Sequence, residues 1–248
     1  MIGKVSLLIL ITKTMFSFFK NKEDKSKKTE AHLIDELAPL TEFSHEEFEK
    51  AKLKARIAFV DDEEVNYVNR LQKDGYNVAY WEDIENIDDF ANKGYNVVVL
   101  DIQGIGKTIS ESSEGWGILK YLKNTYPHIV VIMYTGADWS ITKFKNQADQ
   151  ADDFIGKDFD YLDFKYTLDT NIKKAFSNKY HLEINKRELM KVIKGTDSPD
   201  EIIQILQKYG KDKELAIKKV KEVTSNGEVI KTASAFLSLA KTIFDLAN

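Results

Sequence analysis

Between residues 56 and 178, five short β-rich runs alternate with segments of helical spacing, and few architectures accept that alternation. The runs are Arg56–Val60, Asn77–Tyr80, Asn96–Leu100, Val130–Tyr134 and Asp153–Ile155. Helical patterns cover Glu63–Asp74, Ile84–Lys93, Trp116–Asn124, Ile141–Ala151 and Asp163–Phe176. Gly75 and Gly94 stop the first two of these, and Pro127 lies just beyond the third. Asn96–Leu100 and Val130–Tyr134 read as strands buried on both faces of a parallel sheet. The pattern predicts an α/β domain with a five-stranded parallel sheet and right-handed crossovers.

In such sheets ligands collect beyond the C-terminal ends of the strands. Asp61 and Asp62 follow the first run, Asp101 the third, Thr135 the fourth and Lys157 the fifth. Three carboxylates, a hydroxyl and an ammonium should therefore meet on one edge. Crowded carboxylates repel one another unless a cation joins them, and an all-oxygen donor set suits Mg²⁺, or Mn²⁺. An aspartate can attack phosphorus and carry an aspartyl-phosphate. Lys157 and Thr135 supply the charge and the hydrogen bond that transferred phosphoryl oxygens need. Each residue alone reads as a cap, a turn or a surface group. The reading rests on their order across four strand ends.

Four segments carry a resemblance: IAFVDDEE (57–64), VVVLD (97–101), VVIMYTGAD (130–138) and DDFIGKDF (152–159). Together they resemble the CheY-like receiver family of two-component response regulators, over about half the chain. The resemblance implies a doubly wound, flavodoxin-like sheet. It implies Asp101 as phosphoacceptor, with Asp61, Asp62, Asp101 and the backbone carbonyl of Gln103 as Mg²⁺ ligands. It implies Thr135 and Phe154 as switch residues and Lys157 as the family's lysine. Phe154 also has a plainer reading as an ordinary aromatic on the last strand. A histidine kinase or a small phosphodonor would be the phosphoryl source, and no enzyme activity beyond self-phosphorylation and autodephosphorylation is implied. The alternative is a receiver-like interaction module that works without phosphorylation. A haloacid-dehalogenase-like phosphatase fits less well, because its nucleophile follows the first strand with a second Asp two residues on.

Two features depart from the family. The loop after Asp101 reads DIQGIGKTISESSEGWG, without the usual Met-Pro. Glu114-Gly115 takes the place of the acidic-Gly pair, so about six residues are inserted. Lys157 is followed by Asp158 where the family has proline.

The flanks differ in character. Residues 1–30 read as a mobile arm and charged linker, with three readings open for the apolar Met1–Phe19: an arm, a surface anchor, or leader sequence before a start at Met15. Residues 31–55 read as short helices broken near Pro39, the second opened by a Ser44/Glu47 capping box. Residues 179–248 read as an all-helical output or interaction domain. Ser198-Pro199-Asp200-Glu201 opens one helix, another spans 211–224, and Glu228–Ala247 is apolar on most faces and calls for burial in this chain, in a homodimer or against a protein partner. No cysteine is present, which excludes disulfides and cysteine-bound zinc. None of the four histidines has metal-ligand spacing. Residues 56–179 carry 14 basic and 21 acidic groups, a balance of −7, while the flanks are near neutral. Neither flank is basic enough for nucleic acid, a membrane span is not expected, and a cytoplasmic location is.

Overall fold

The computed structural model describes residues 43–246 apart from Glu64 and 137–147, with side chains described as far as Lys241. The expected N-terminal arm, the linker, the part of the 31–55 helical segment before Phe43 and most of the Ile141–Ala151 helix lie outside the described residues. What is described falls into two compact units, one from Phe43 to Ser177 and one from Asn178 onward.

The first unit runs α1 (His45–Lys54), β1 (Arg56–Val60), α2 (Asn66–Lys73), β2 (Asn77–Trp81), α3 (Ile87–Ala91), β3 (Val97–Asp101), α4 (Glu114–Thr125), β4 (Val130–Thr135), β5 (Asp153–Gly156) and α5 (Tyr161–Ala175). The strands form one parallel sheet in the order β2-β1-β3-β4-β5. This is the flavodoxin-like order, in which the direction of winding switches between β1 and β3. The apolar runs therefore did mark the strands. β3 is buried at every residue, as expected of a central parallel strand covered on both faces.

One face of the sheet packs Ala58, Val60, Val98, Leu100, Val131 and Met133 against α3, α4 and the β3–α4 loop, with Trp116 and Ile105 fully buried there. On the other face Phe59 meets Tyr134 edge-on at 5.3 Å and stacks on Phe164 of α5 at 5.9 Å. α1 belongs to this unit and packs against α5 and β2. Its Ser44/Glu47 capping box is complete on both sides.

α2, α3 and α5 start later or earlier than their periodicity predicts, each for a local reason. α2 begins at Asn66 rather than Glu63, because Asp61 Oδ1 accepts a hydrogen bond from the Glu63 amide and holds a non-helical turn. α3 is only Ile87–Ala91, because the Asn86 side chain caps the amides of Asp88 and Asp89. α5 starts at Tyr161, where Asp160 caps Leu162 and Asp163.

The second unit is helical throughout: α6 (Asn178–Lys194), α7 (Pro199–Tyr209), α8 (Lys213–Val223) and α9 (Gly227–Leu246). Pro199 opens α7 as expected, but Ser198 makes no side-chain cap bond. α9 packs chiefly on α6 and buries Val229, Ala233, Phe236, Leu237 and Ala240 in the core of this unit. Among the described residues no helix is long and apolar enough to cross a membrane.

Candidate functional site

The strand register brings the chemistry-bearing residues level. Val60 pairs with Leu100, Asp101 with Tyr134, and Thr135 with Gly156. The residues at or just past these positions are Asp61, Asp101, Thr135 and Lys157, so one edge of the sheet holds them all. Asp101 and Thr135 are the last residues of their strands rather than the first of the following loops.

Lys157 is the centre of the contacts. Its Nζ donates a hydrogen bond to Asp101 Oδ2 at 2.9 Å and lies 3.1 Å from Asp61 Oδ2. The main chain at Lys157 is fixed by its amide, which donates to the Thr135 carbonyl at 2.8 Å. The Tyr134 ring supports the ammonium, 5.4 Å from Nζ to the ring centre. Asp101 Oδ1 accepts from the Ile102 amide at 2.7 Å. The Tyr80 hydroxyl donates to the Asp61 carbonyl at 2.6 Å and the Glu63 carbonyl at 3.1 Å, holding the β1–α2 loop in place.

The electrostatics leave this cluster short of positive charge. Asp61 and Asp101 are buried and Asp62 is exposed, and one oxygen from each lies within 4.8 Å of the others. Burial pushes the carboxyls of Asp61 and Asp101 above the ordinary range, partly opposed by Lys157. Burial works downward on Lys157, but its hydrogen bond to Asp101 and the attraction of the Asp101 and Asp61 charges outweigh that and raise it to about 12. One ammonium thus faces three carboxylates. Asp61 Oδ2 is buried and has no hydrogen-bond partner, because Lys157 attracts it without hydrogen-bond geometry. A buried, unsatisfied carboxylate oxygen beside two further carboxylates fits a hard divalent cation, and Asp61, Asp62 and Asp101 could hold one.

Thr135 is half-buried, and its hydroxyl donates to the Gly136 carbonyl. Phe154 lies on β5 three residues before Lys157. It is half-buried against the core, with its ring 6.3 Å from that of Trp116. Gln103 is exposed on the loop that leaves Asp101.

The loop between β3 and α4 is a built part of the site. Ile102 and Ile105 are buried in the core. The Gly104 amide donates to Glu114 Oε2 at 2.7 Å, and the Gly106 amide to Asp83 Oδ1 at 2.6 Å. Gly104 and Gly106 both have positive φ, 82° and 71°, a region costly for other residues. A side chain at Gly104 would overlap the Asp62 carboxylate, and one at Gly115 the Asp101 carbonyl. Glu114 itself sits at φ 43°, uncommon for a non-glycine residue. The loop therefore presses on Asp62 from one side and on the end of β3 from the other.

Sequence reasoning missed Tyr80, Tyr134, Asp83, Gly104 and the carboxylate of Glu114 as parts of this arrangement. The Gly104/Gly106 pair directly after Asp101 was a usable signal for a left-handed loop. Nothing in the sequence pairs Asp83 with Gly106.

No family model matches the sequence, and no curated protein matches it. Solved structures do. The receiver domain of NtrX from Brucella abortus is 23% identical, covering 47% of this chain and 98% of that one, with a TM-score of 0.39. A CheY-like response regulator receiver domain protein from Methanospirillum hungatei is 20% identical over 49% of this chain and 95% of its own, at 0.40. The chemotaxis response regulator CheY4 of Vibrio cholerae is 21% identical over 47% and 98%, at 0.39. Each of these matches covers about half of this chain.

Proposed function

We propose that the first unit is a phosphoacceptor receiver in which Asp101 takes a phosphoryl group and the helical second unit relays the change to a partner. The observation that carries this is the Lys157 ammonium bonded to Asp101 beside Asp61 and Asp62 at the C-terminal edge of a 2-1-3-4-5 sheet. In the transfer, an Asp101 oxygen attacks phosphorus as the bond to the donor's leaving group breaks. The leaving group departs with the bonding pair, as acetate from acetyl phosphate or as imidazole from a phosphohistidine of a histidine kinase. The product is an acyl phosphate on Asp101. Lys157 shifts its bond from Asp101 to a phosphoryl oxygen, and the Thr135 hydroxyl turns from Gly136 to donate to another.

Asp61, Asp62 and Asp101, with the Gln103 carbonyl, would hold Mg²⁺ (or Mn²⁺), which supplies neutralisation of phosphoryl charge. Rotation of Thr135 frees space on the β4–β5 side, where Phe154 is only half-buried. That pair is the proposed switch, biased by local charge. The unit acts on itself alone and turns over no separate substrate. Its output surface lies in the helical flanks, toward a protein partner or a second copy.

Incubation with acetyl phosphate, or with beryllofluoride, in the presence of Mg²⁺ tests the proposal. An adduct is expected by mass spectrometry on the wild type. It should be absent from Asp101→Asn and absent when EDTA replaces Mg²⁺. No Asp101-dependent adduct under these conditions overturns it. The folded loop after Asp101, with Ile109 exposed on it, favours a second reading, an interaction module indifferent to phosphate. That reading requires Asp101→Asn to keep full partner binding and biological activity.

A further inference from the structure

Lys157 must hold one position to bridge Asp61 and Asp101, yet the residue after it is Asp158, whose φ is not locked as that of a proline would be. The restraint comes from elsewhere. Lys157 and Asp158 occupy the middle of a tight turn closed by the Phe159 amide, which donates to the Gly156 carbonyl at 3.1 Å. Gly156 opens this turn and leaves no room for a side chain against Asp158 and Phe159. The far end of the turn is gripped from outside. Tyr67, in the first turn of α2, donates its hydroxyl to the Phe159 carbonyl at 2.6 Å, across 92 residues of sequence.

The Tyr67 ring is independently placed, 5.2 Å from Phe164 and 5.7 Å from Tyr161. Tyr67 follows the Asp61–Asp62 pair by only a few residues, and α2 is continuous with the loop that carries them. It also lines, with Asp61, Asn66, Tyr134 and Lys157, a cavity of about 370 Å³ that opens on the site. Its hydroxyl therefore ties the loop bearing the two carboxylates to the loop bearing the ammonium.

We infer that Tyr67 is a positioning residue for Lys157: its hydroxyl bond to the Phe159 carbonyl fixes the turn that places the ammonium between Asp61 and Asp101. This inference rests on the proposed function. It identifies what takes over the restraint where proline is missing, and it makes the geometry of phosphoryl transfer depend on a contact between α2 and the β5–α5 turn. A partner that pulled on α2 would alter the reach of Lys157.

The test is Tyr67→Phe in the full chain, which keeps the ring packing and removes only the hydroxyl. Tyr80→Phe serves as the comparison, because it also removes a phenol hydroxyl that donates to main-chain carbonyls, those of Asp61 and Glu63, on the Asp61 loop. Asp101 phosphorylation is followed against acetyl phosphate concentration, and Mg²⁺ affinity is measured separately. Tyr67→Phe should lower the maximal rate by roughly three- to tenfold, as expected for one hydrogen bond felt in the transition state. Its half-saturating acetyl phosphate and its Mg²⁺ affinity should match the wild type. The inference is overturned by an unchanged maximal rate. It is equally overturned if Tyr67→Phe weakens Mg²⁺ binding as Tyr80→Phe does, which would make the hydroxyl a general brace. A wild type that takes no phosphoryl group sinks the proposed function and this inference with it. A wild type that is phosphorylated beside an indistinguishable Tyr67→Phe sinks only the inference.

Discussion

Gly104→Ala offers a perturbation whose effects can be separated by a built-in control. Gly104 lies at φ 82°, where an L side chain costs about 1–2 kcal/mol in backbone strain. Gly75, at the end of α2, has φ 85° and nothing within 4 Å of an added Cβ. Gly75→Ala therefore incurs the same backbone strain in open space. At Gly104 the new methyl also overlaps the Asp62 carboxylate. Asp62 is exposed, so its side chain can swing away at little further steric cost. Both variants should lose stability alike, about 1–2 kcal/mol in chemical denaturation without Mg²⁺. They should differ in Mg²⁺ affinity. Moving one of three carboxylates out of place should raise the Mg²⁺ dissociation constant of Gly104→Ala by about tenfold or more. Gly75→Ala should bind Mg²⁺ like the wild type. Titration calorimetry on the three proteins decides it. Equal Mg²⁺ affinity in Gly104→Ala and wild type would refute the idea that the β3–α4 loop holds Asp62 in place for a cation.

Other outcomes follow from contacts elsewhere in the sheet unit. Asp152, buried before β5, accepts from Lys123 at 2.6 Å and the Val131 amide at 2.8 Å, with Lys174 at 3.0 Å. Replacing it by Ala should cost about 3–5 kcal/mol in denaturant unfolding, because Lys123 stays buried without its carboxylate. Burial works upward on this carboxyl, but the attraction of Lys123 and Lys174 outweighs it and holds Asp152 below the ordinary range. A depressed carboxyl stabilises the fold above its unfolded pKa, near 4, and that contribution is lost as pH falls through the lower folded value. The stability gap between wild type and Asp152→Asn should accordingly be full at neutral pH and shrink below about pH 4, measured by thermal melts across pH. Tyr80→Phe should cost about 1 kcal/mol and weaken Mg²⁺ binding, because the Asp61 main chain loses its hydroxyl donor; unchanged Mg²⁺ affinity would count against that role.

Much of the site was legible because parallel strands buried on both faces leave a plain signature. β3 is apolar until Asp101, and β4 until Thr135, so the first polar side chain marks the strand end where ligands gather. Four strand ends in order were enough to bring Asp61, Asp101, Thr135 and Lys157 together. The helix starts were less legible, since the Glu63 amide could serve α2 or the Asp61 carboxylate, and the carboxylate took it.

What the sequence determined by itself was therefore the parallel sheet, the helical character of the second unit and the ordered set of charged groups along one edge. These depend on local periodicity and on short stretches of apolar residues, which act over a few residues at a time. What only the tertiary structure decided was how those groups are held. The Glu114 grip on Gly104, the Asp83 grip on Gly106 and the Tyr67 grip on Phe159 each join residues from different elements, 10, 23 and 92 positions apart. Such bonds depend on where the loops run once the core has closed, and a polar side chain in sequence carries no mark of which distant backbone group it will meet.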